Sequence, residues 1–278
     1  MIRVLVDMTN FYKPIHSLSD ALDKVAEYNK QGIVASLSFL PVVKSARFLI
    51  RREIEEYNRI LLAITRHKLN CDVTVKLHQL GIHRQDGLAE ESMREIIEQA
   101  ARFNNFVWID MESKDSVDAT VEIFRTVGRD YTNVGICLQA YLKRTERDLK
   151  LLGAHRAPIR LVKGFYNERD FNTWEEVTQN YFRLLPILLT QSSYPAIATH
   201  DEKIINEAKR IIREKNIANA EFQFFLGVRD DLARQLVLEG FKVRVYIPYG
   251  NFWRFLLKGL RTFDILHGLE RFFRLRPR

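Results

Sequence analysis

Eight polar side chains fall at or near the ends of eight short apolar runs: Ser38, Lys76, Asp110, Gln139, Lys163, His200, Gln223 and Tyr246. Most are poor packing residues but suit an anionic cofactor and hydride transfer. Lys76, in VTVKL, is costly to bury without a partner or a bound anion. Asp110, in FVWID, is its neighbour if the two runs form adjacent strands. Such a pair would orient a substrate or serve structure alone. Arg160 and Lys163 lie three apart in RLVKG, so they face opposite sides of a strand, one toward the site and one behind it. Gly164 beside them permits close backbone approach. Thr199, His200 and Asp201 put a hydroxyl, an imidazole and a carboxylate together. A metal centre needs further ligands at fixed spacing, no second His or Cys cluster supplies them, and no metal is expected. The amides of Gln139 and Gln223 suit hydrogen bonding to a ring, or are core amides satisfied by backbone.

Such residues need elements that gather strand ends. The apolar runs are 33–38, 73–77, 106–110, 134–139, 159–163, 196–200, 222–226 and 243–247. They are β-branched and apolar on both faces, which suits parallel strands covered by helices. Helical spacing of apolar residues marks 48–68, 90–103, 116–127, 145–152, 173–189, 202–215 and 230–239 between them. Eight such units predict an α/β fold, a closed (β/α)8 barrel of the TIM type with its chemistry at the strand C-termini. An open doubly wound sheet is the alternative, but no glycine-rich fingerprint follows the first strand. Beyond the turn Pro248–Gly250, with Asn251 as cap, an extra C-terminal helix is predicted over 253–273. The reading is one domain, 1–278, with 1–20 an extension and 251–278 a helix and basic tail.

The chain has 278 residues and a net charge of +8. Seven basic residues against two acidic ones from Arg254 to Arg278 carry most of that excess. Elsewhere basic residues alternate with acidic ones and no recognition motif is present, so nucleic acid is not an expected partner. Two cysteines, Cys71 and Cys137, cannot build a disulfide framework. No run reaches the ~18 apolar residues of a membrane span, and the N-terminus is not a secretory signal. A cytoplasmic protein is expected. The basic aromatic tail would either pack as the closing helix or lie on an anionic membrane surface.

The segments IDMES, GICLQAYLKRTERDL, RLVKGFY, ATHD, EFQFFLGVR and VRVYIPYGNFW, in that order, resemble the proline dehydrogenase family over about 21–253. The resemblance implies an FAD-dependent barrel that oxidises L-proline to 1-pyrroline-5-carboxylate and passes electrons to a quinone. It implies catalytic roles for Asp110 and Arg160 and substrate contact for Lys76 and Tyr246. FAD contacts are implied for Met111, Gln139, Arg160, Lys163, Gly164, Phe165, Tyr166, Thr199 and His200, with Gln223 nearby.

The chain departs from the family on the substrate side. Where family members carry a tyrosine, an Arg pair and a glutamate after the PYG turn, this chain has Leu256, Gly259, Leu260 and Phe263. The Arg pair is the family's clamp for the proline carboxylate, and a guanidinium fork suits that task. The first strand ends in LSFLPV and lacks the family's two carboxylates. Three readings follow: Lys258 or Arg261 supplies the clamp after a small helix shift, the substrate is another cyclic or secondary amine, or the fold is a non-catalytic binding protein.

Overall fold

The computed structural model of the chain describes residues 15–41, 47–84, 86–164 and 168–251. Eight strands close into a barrel in sequence order: β1 (Val34–Leu40), β2 (Cys71–Lys76), β3 (Val107–Asp110), β4 (Val134–Gln139), β5 (Pro158–Val162), β6 (Tyr194–Ala198), β7 (Glu221–Phe225) and β8 (Lys242–Gly250). Every neighbouring pair is parallel, including β8 with β1. The strands match the apolar runs to within a few residues, because alternating Val, Ile and Leu must be buried against a helix layer on one face.

The helices among the described residues are α1 (Leu18–Asn29), α2 (Arg47–Arg66), α3 (Leu88–Arg102), α4 (Val117–Asp130), α5 (Thr145–Gly153), α6 (Trp174–Gln191), α7 (Glu202–Glu214) and α8 (Asp230–Leu238). In α7 the buried stripe is Ile204, Ile205, Ala208, Ile211 and Ile212, the spacing of one helix face. Thr173 and Glu176 form a capping box that starts α6. Asp201 caps α7 by accepting the Lys203 amide at 3.0 Å.

Two elements differ from the sequence expectation. Helix α1 precedes β1 and crosses residue 20, where an extension was set. Ser17 caps it by accepting the Asp20 amide at 3.1 Å, and Ala21, Val25 and Tyr28 are buried on one face. It packs on both β1 and β8 and so covers the seam where the barrel closes. The second difference is β8, which runs through Pro248-Tyr249-Gly250 instead of turning there. Pairing with β1 continues to Leu40 opposite Gly250, and Ile15 bridges Tyr249 on the other side. Pro248 lacks an N–H, but these added partners keep the chain extended. The helix expected over 253–273, with Leu256, Gly259 and Leu260, lies outside the described residues, as do Phe165 and Tyr166.

Candidate active site

Alternation along each strand sends every second side chain into the barrel. In β2 these are Asp72, Thr74 and Lys76, in β3 Trp108 and Asp110, in β5 Arg160, and in β8 Arg244 and Tyr246. Several of their contacts, Arg160 with Asp110, Tyr246 with Asp110 and Arg244 with Asp72, span strands that are not neighbours, which is reachable only through the lumen.

The lower layer is ionic. Arg244 lies 2.6 Å from Asp72 Oδ2 and 2.6 Å from Glu221 Oε1. Trp108 Nε1 donates to Asp72 at 3.1 Å, and the Tyr194 hydroxyl to Glu221 at 2.6 Å. Gly135 makes room for Trp108, since a Cβ there would sit 2.6 Å from the indole.

The upper layer is centred on Asp110. Register pairs it with Lys76, as the sequence predicted for adjacent strands, and Lys76 Nζ lies 2.5 Å from Oδ2. Arg160 Nη1 reaches Oδ1 at 3.1 Å, and the Tyr246 hydroxyl donates to Oδ2 at 3.1 Å. The Arg160 guanidinium also stacks 4.6 Å from the centre of the Trp108 ring. Asp110, Lys76 and Arg160 are all buried. Burial pushes the Asp110 carboxyl up, but Lys76 and Arg160 outweigh it and hold its pKa below the ordinary value. Tyr246 is pushed up to about 12, by burial and then by the Asp110 charge. Asp110 is therefore an anion at neutral pH and Tyr246 a neutral donor. Two cations share this one carboxylate.

Lys163 faces away from this cluster, as three-residue spacing requires. Its ammonium lies 2.7 Å from Asp201 and 2.9 Å from the Thr178 hydroxyl, joining β5 to α6 and to the cap of α7. Thr199 accepts the Asp201 amide at 3.2 Å. His200 Nε2 accepts the Phe225 amide at 2.9 Å, and burial, then Arg229, lowers its pKa to about 3. The ring is thus neutral with its proton on Nδ1. Gly164 has φ +120°, and a Cβ there would lie 2.3 Å from the Tyr141 ring. That close approach to Tyr141 requires glycine.

The two amides have different fates. Gln139 Nε2 donates to the carbonyls of Met111 at 3.1 Å and Glu112 at 3.0 Å, while its buried Oε1 has no hydrogen-bond partner among the described residues. Gln223 sits in the middle of β7 and donates to Glu221 at 2.7 Å, so it joins the lower ionic layer. Sequence reasoning missed Thr74, Trp108 and the Asp72–Arg244–Glu221 network. The available signal was a charged or polar residue at every second position of an otherwise apolar strand. It also missed that His78, His83 and Asp115 converge on the loops beyond β2 and β3.

A family model described as Proline dehydrogenase matches residues 21–257. Proline dehydrogenase 2 of Bacillus subtilis (strain 168) is 33% identical over 243 residues, covering 86% of this chain and 80% of that protein. The proline dehydrogenase of Deinococcus radiodurans is 33% identical over 247 residues, covering 85% and 80%. Among solved structures, proline utilization A from Bdellovibrio bacteriovorus, inactivated by N-propargylglycine, superposes with a TM-score of 0.81. It is 20% identical, and the match covers 96% of this chain but 33% of that one, which bears on the fold alone. With a family match over most of its length, this chain belongs to the proline dehydrogenase family, a family of oxidoreductases.

Proposed function

We propose that the chain oxidises L-proline to 1-pyrroline-5-carboxylate with FAD as cofactor, passing the electrons on to a quinone-type acceptor. The observation that carries this reading is the Asp110 cluster: Lys76, Arg160 and Tyr246 converge on one buried carboxylate at the barrel mouth. The cationic heads of Lys76 and Arg160 suit an anionic substrate carboxylate. Asp110, held ionised, does not act as a proton donor. It aims Lys76, Arg160 and the Tyr246 hydroxyl at the substrate, and Arg160 meets the reacting centre from the strand side.

The residues fit a flavin. Among the described residues Gln139 Oε1 is a buried acceptor with no partner, which suits a ring N–H. Met111, Gln139, Arg160, Lys163, Gly164, Phe165, Tyr166, Thr199 and His200 would hold it, whereas Gln223, bound to Glu221, would not. When bound, FAD supplies the hydride acceptor for the carbon next to the substrate nitrogen. Lys163, Thr199 and His200 stiffen the wall behind that position through Asp201 and Phe225.

A second reading is favoured by Gly259 and Leu260, which stand where relatives carry the Arg pair: the preferred substrate is a different cyclic or secondary amine. Loss of two charge-assisted contacts weakens proline binding by about 1.5–3 kcal/mol each. Among the described residues no helix is long and apolar enough to cross a membrane. Delivery of electrons to a quinone would use peripheral contact of the basic tail with an anionic membrane, which its Arg and Lys residues suit.

The test is bleaching of the flavin absorbance of the purified protein by a panel of cyclic and N-alkyl amino acids. Bleaching by proline only at high concentration supports the first reading with a weakened clamp. Stronger bleaching by another amine supports the second. A colourless protein that takes up no added FAD ends both.

A further inference from the structure

Beyond the ends of β2 and β3, two loops bring together side chains that the proposed reaction does not use. His78 follows β2 by two residues, and His83 lies further along the same loop. Glu112 and Asp115 come from the loop after β3. One donor atom from each of His78, His83 and Asp115 lies within 4.8 Å of the others. The two imidazoles meet edge to face, with centroids 4.6 Å apart.

We propose that His78, His83 and Asp115 form a binding site for a borderline divalent transition-metal ion such as Zn2+. Two imidazoles and a carboxylate suit such an ion, whereas Mg2+ and Ca2+ favour sets of oxygen ligands.

The hydrogen bonds around His78 orient it for this. Glu112 Oε2 lies 2.5 Å from His78 Nδ1 and also accepts the His78 amide at 3.0 Å. A carboxylate only accepts, so Nδ1 carries the proton, and in the neutral ring Nε2 keeps its lone pair. A carboxylate behind a histidine in this way is the usual support of a metal-binding imidazole. Nε2 faces Ser113 Oγ at 3.2 Å. Ser113, however, gives its single hydroxyl hydrogen to Asp115 Oδ1. Ser113 Oγ thus bridges Nε2 and the Asp115 carboxylate, and a cation seated between those two groups would be held by both.

The geometry leaves little to adjust. Ligand atoms around a tetrahedral metal stand about 3.4 Å apart, against 4.8 Å at most here. His83 and Asp115 are exposed, so their side chains can close that gap, and water completes the shell. The site lies outside the Lys76–Asp110–Arg160–Tyr246 cluster and stands independently of the flavin reading.

Untagged full-length protein, stripped with EDTA, is titrated calorimetrically with Zn2+ at neutral pH, with Mg2+ as the control. The expected result is a single zinc per chain and no Mg2+ uptake. Both His83→Ala and Asp115→Ala should abolish that zinc, and Glu112→Gln should weaken it by about 10- to 100-fold. Circular dichroism of the metal-free variants checks that these exposed replacements leave the barrel folded. Co2+ substitution gives a second readout, since its visible ligand-field bands should vanish in the same two variants. No zinc uptake by the wild type, or zinc retained at unchanged affinity in either folded variant, overturns the assignment.

Discussion

Replacing Asp110 with Asn keeps the side-chain shape and removes the charge that Lys76, Arg160 and Tyr246 share. The two cations stand 2.5 and 3.1 Å from the carboxylate and have 8% and 3% of their surface exposed. At an effective dielectric of ~20, each such contact is worth about 5–7 kcal/mol before desolvation is counted. Desolvation offsets most of this, and removing one member of a buried ion group costs about 3–5 kcal/mol. The upper part of that range is expected, because two buried cations are left facing one another. In urea the midpoint should fall by about 2 M at a slope near 2 kcal/mol per molar. The pH dependence follows from the depressed pKa of Asp110. Its contribution is fully present above the unfolded carboxyl value of ~4 and is lost as pH falls through the lower folded value. The stability gap between wild type and Asp110→Asn should therefore be full at neutral pH and close in acid. Urea titrations at a series of pH values measure it, and proline turnover with added FAD should be lost in parallel. A gap under about 1 kcal/mol at neutral pH, or one that persists unchanged into strong acid, would refute a shared buried anion.

Gly164→Ala should destabilise the protein by about 1–3 kcal/mol, because φ is +120° and the new methyl meets Tyr141; a thermal melt equal to wild type would show that the loop relaxes freely. Arg244→Met leaves Asp72 and Glu221 buried without their cation and should cost about 3–5 kcal/mol, again read by urea unfolding. His200, with its pKa lowered to about 3, resists protonation in the folded state. It should sap stability as pH falls from its unfolded value of ~6.5 toward the folded one. His200→Gln should flatten that limb, and an unchanged acid limb would count against a buried neutral ring. The basic segment 254–278 should bind anionic vesicles, with an affinity that drops as salt rises; equal binding to neutral vesicles in a sedimentation assay would exclude an electrostatic role.

Strand and helix positions were legible because burial imposes periods of two and of about 3.6 on apolar residues. The apolar runs that carry Lys76, Asp110 and Gln139 end within a residue of β2, β3 and β4. The Lys76–Asp110 pair followed from strand adjacency, and the opposed facing of Arg160 and Lys163 from alternation. Helix α1 escaped notice because it precedes the first strand and so lies outside the strand–helix alternation, and β8 ran longer than its apolar core because partners on both sides hold Pro248 and Tyr249 extended.

What the chain alone determined, then, was periodicity: which residues are buried, how many strand–helix units alternate, and which polar side chains end them. Only closure of the barrel decided which of those side chains meet. Arg160 reaches Asp110 and Thr74 across the lumen, and Gln223 is drawn to Glu221 instead of toward a ring. His78 joins His83 and Asp115 from two loops. Partners at such sequence separations are set by strand order and register, which depend on the whole barrel closing and not on any local pattern.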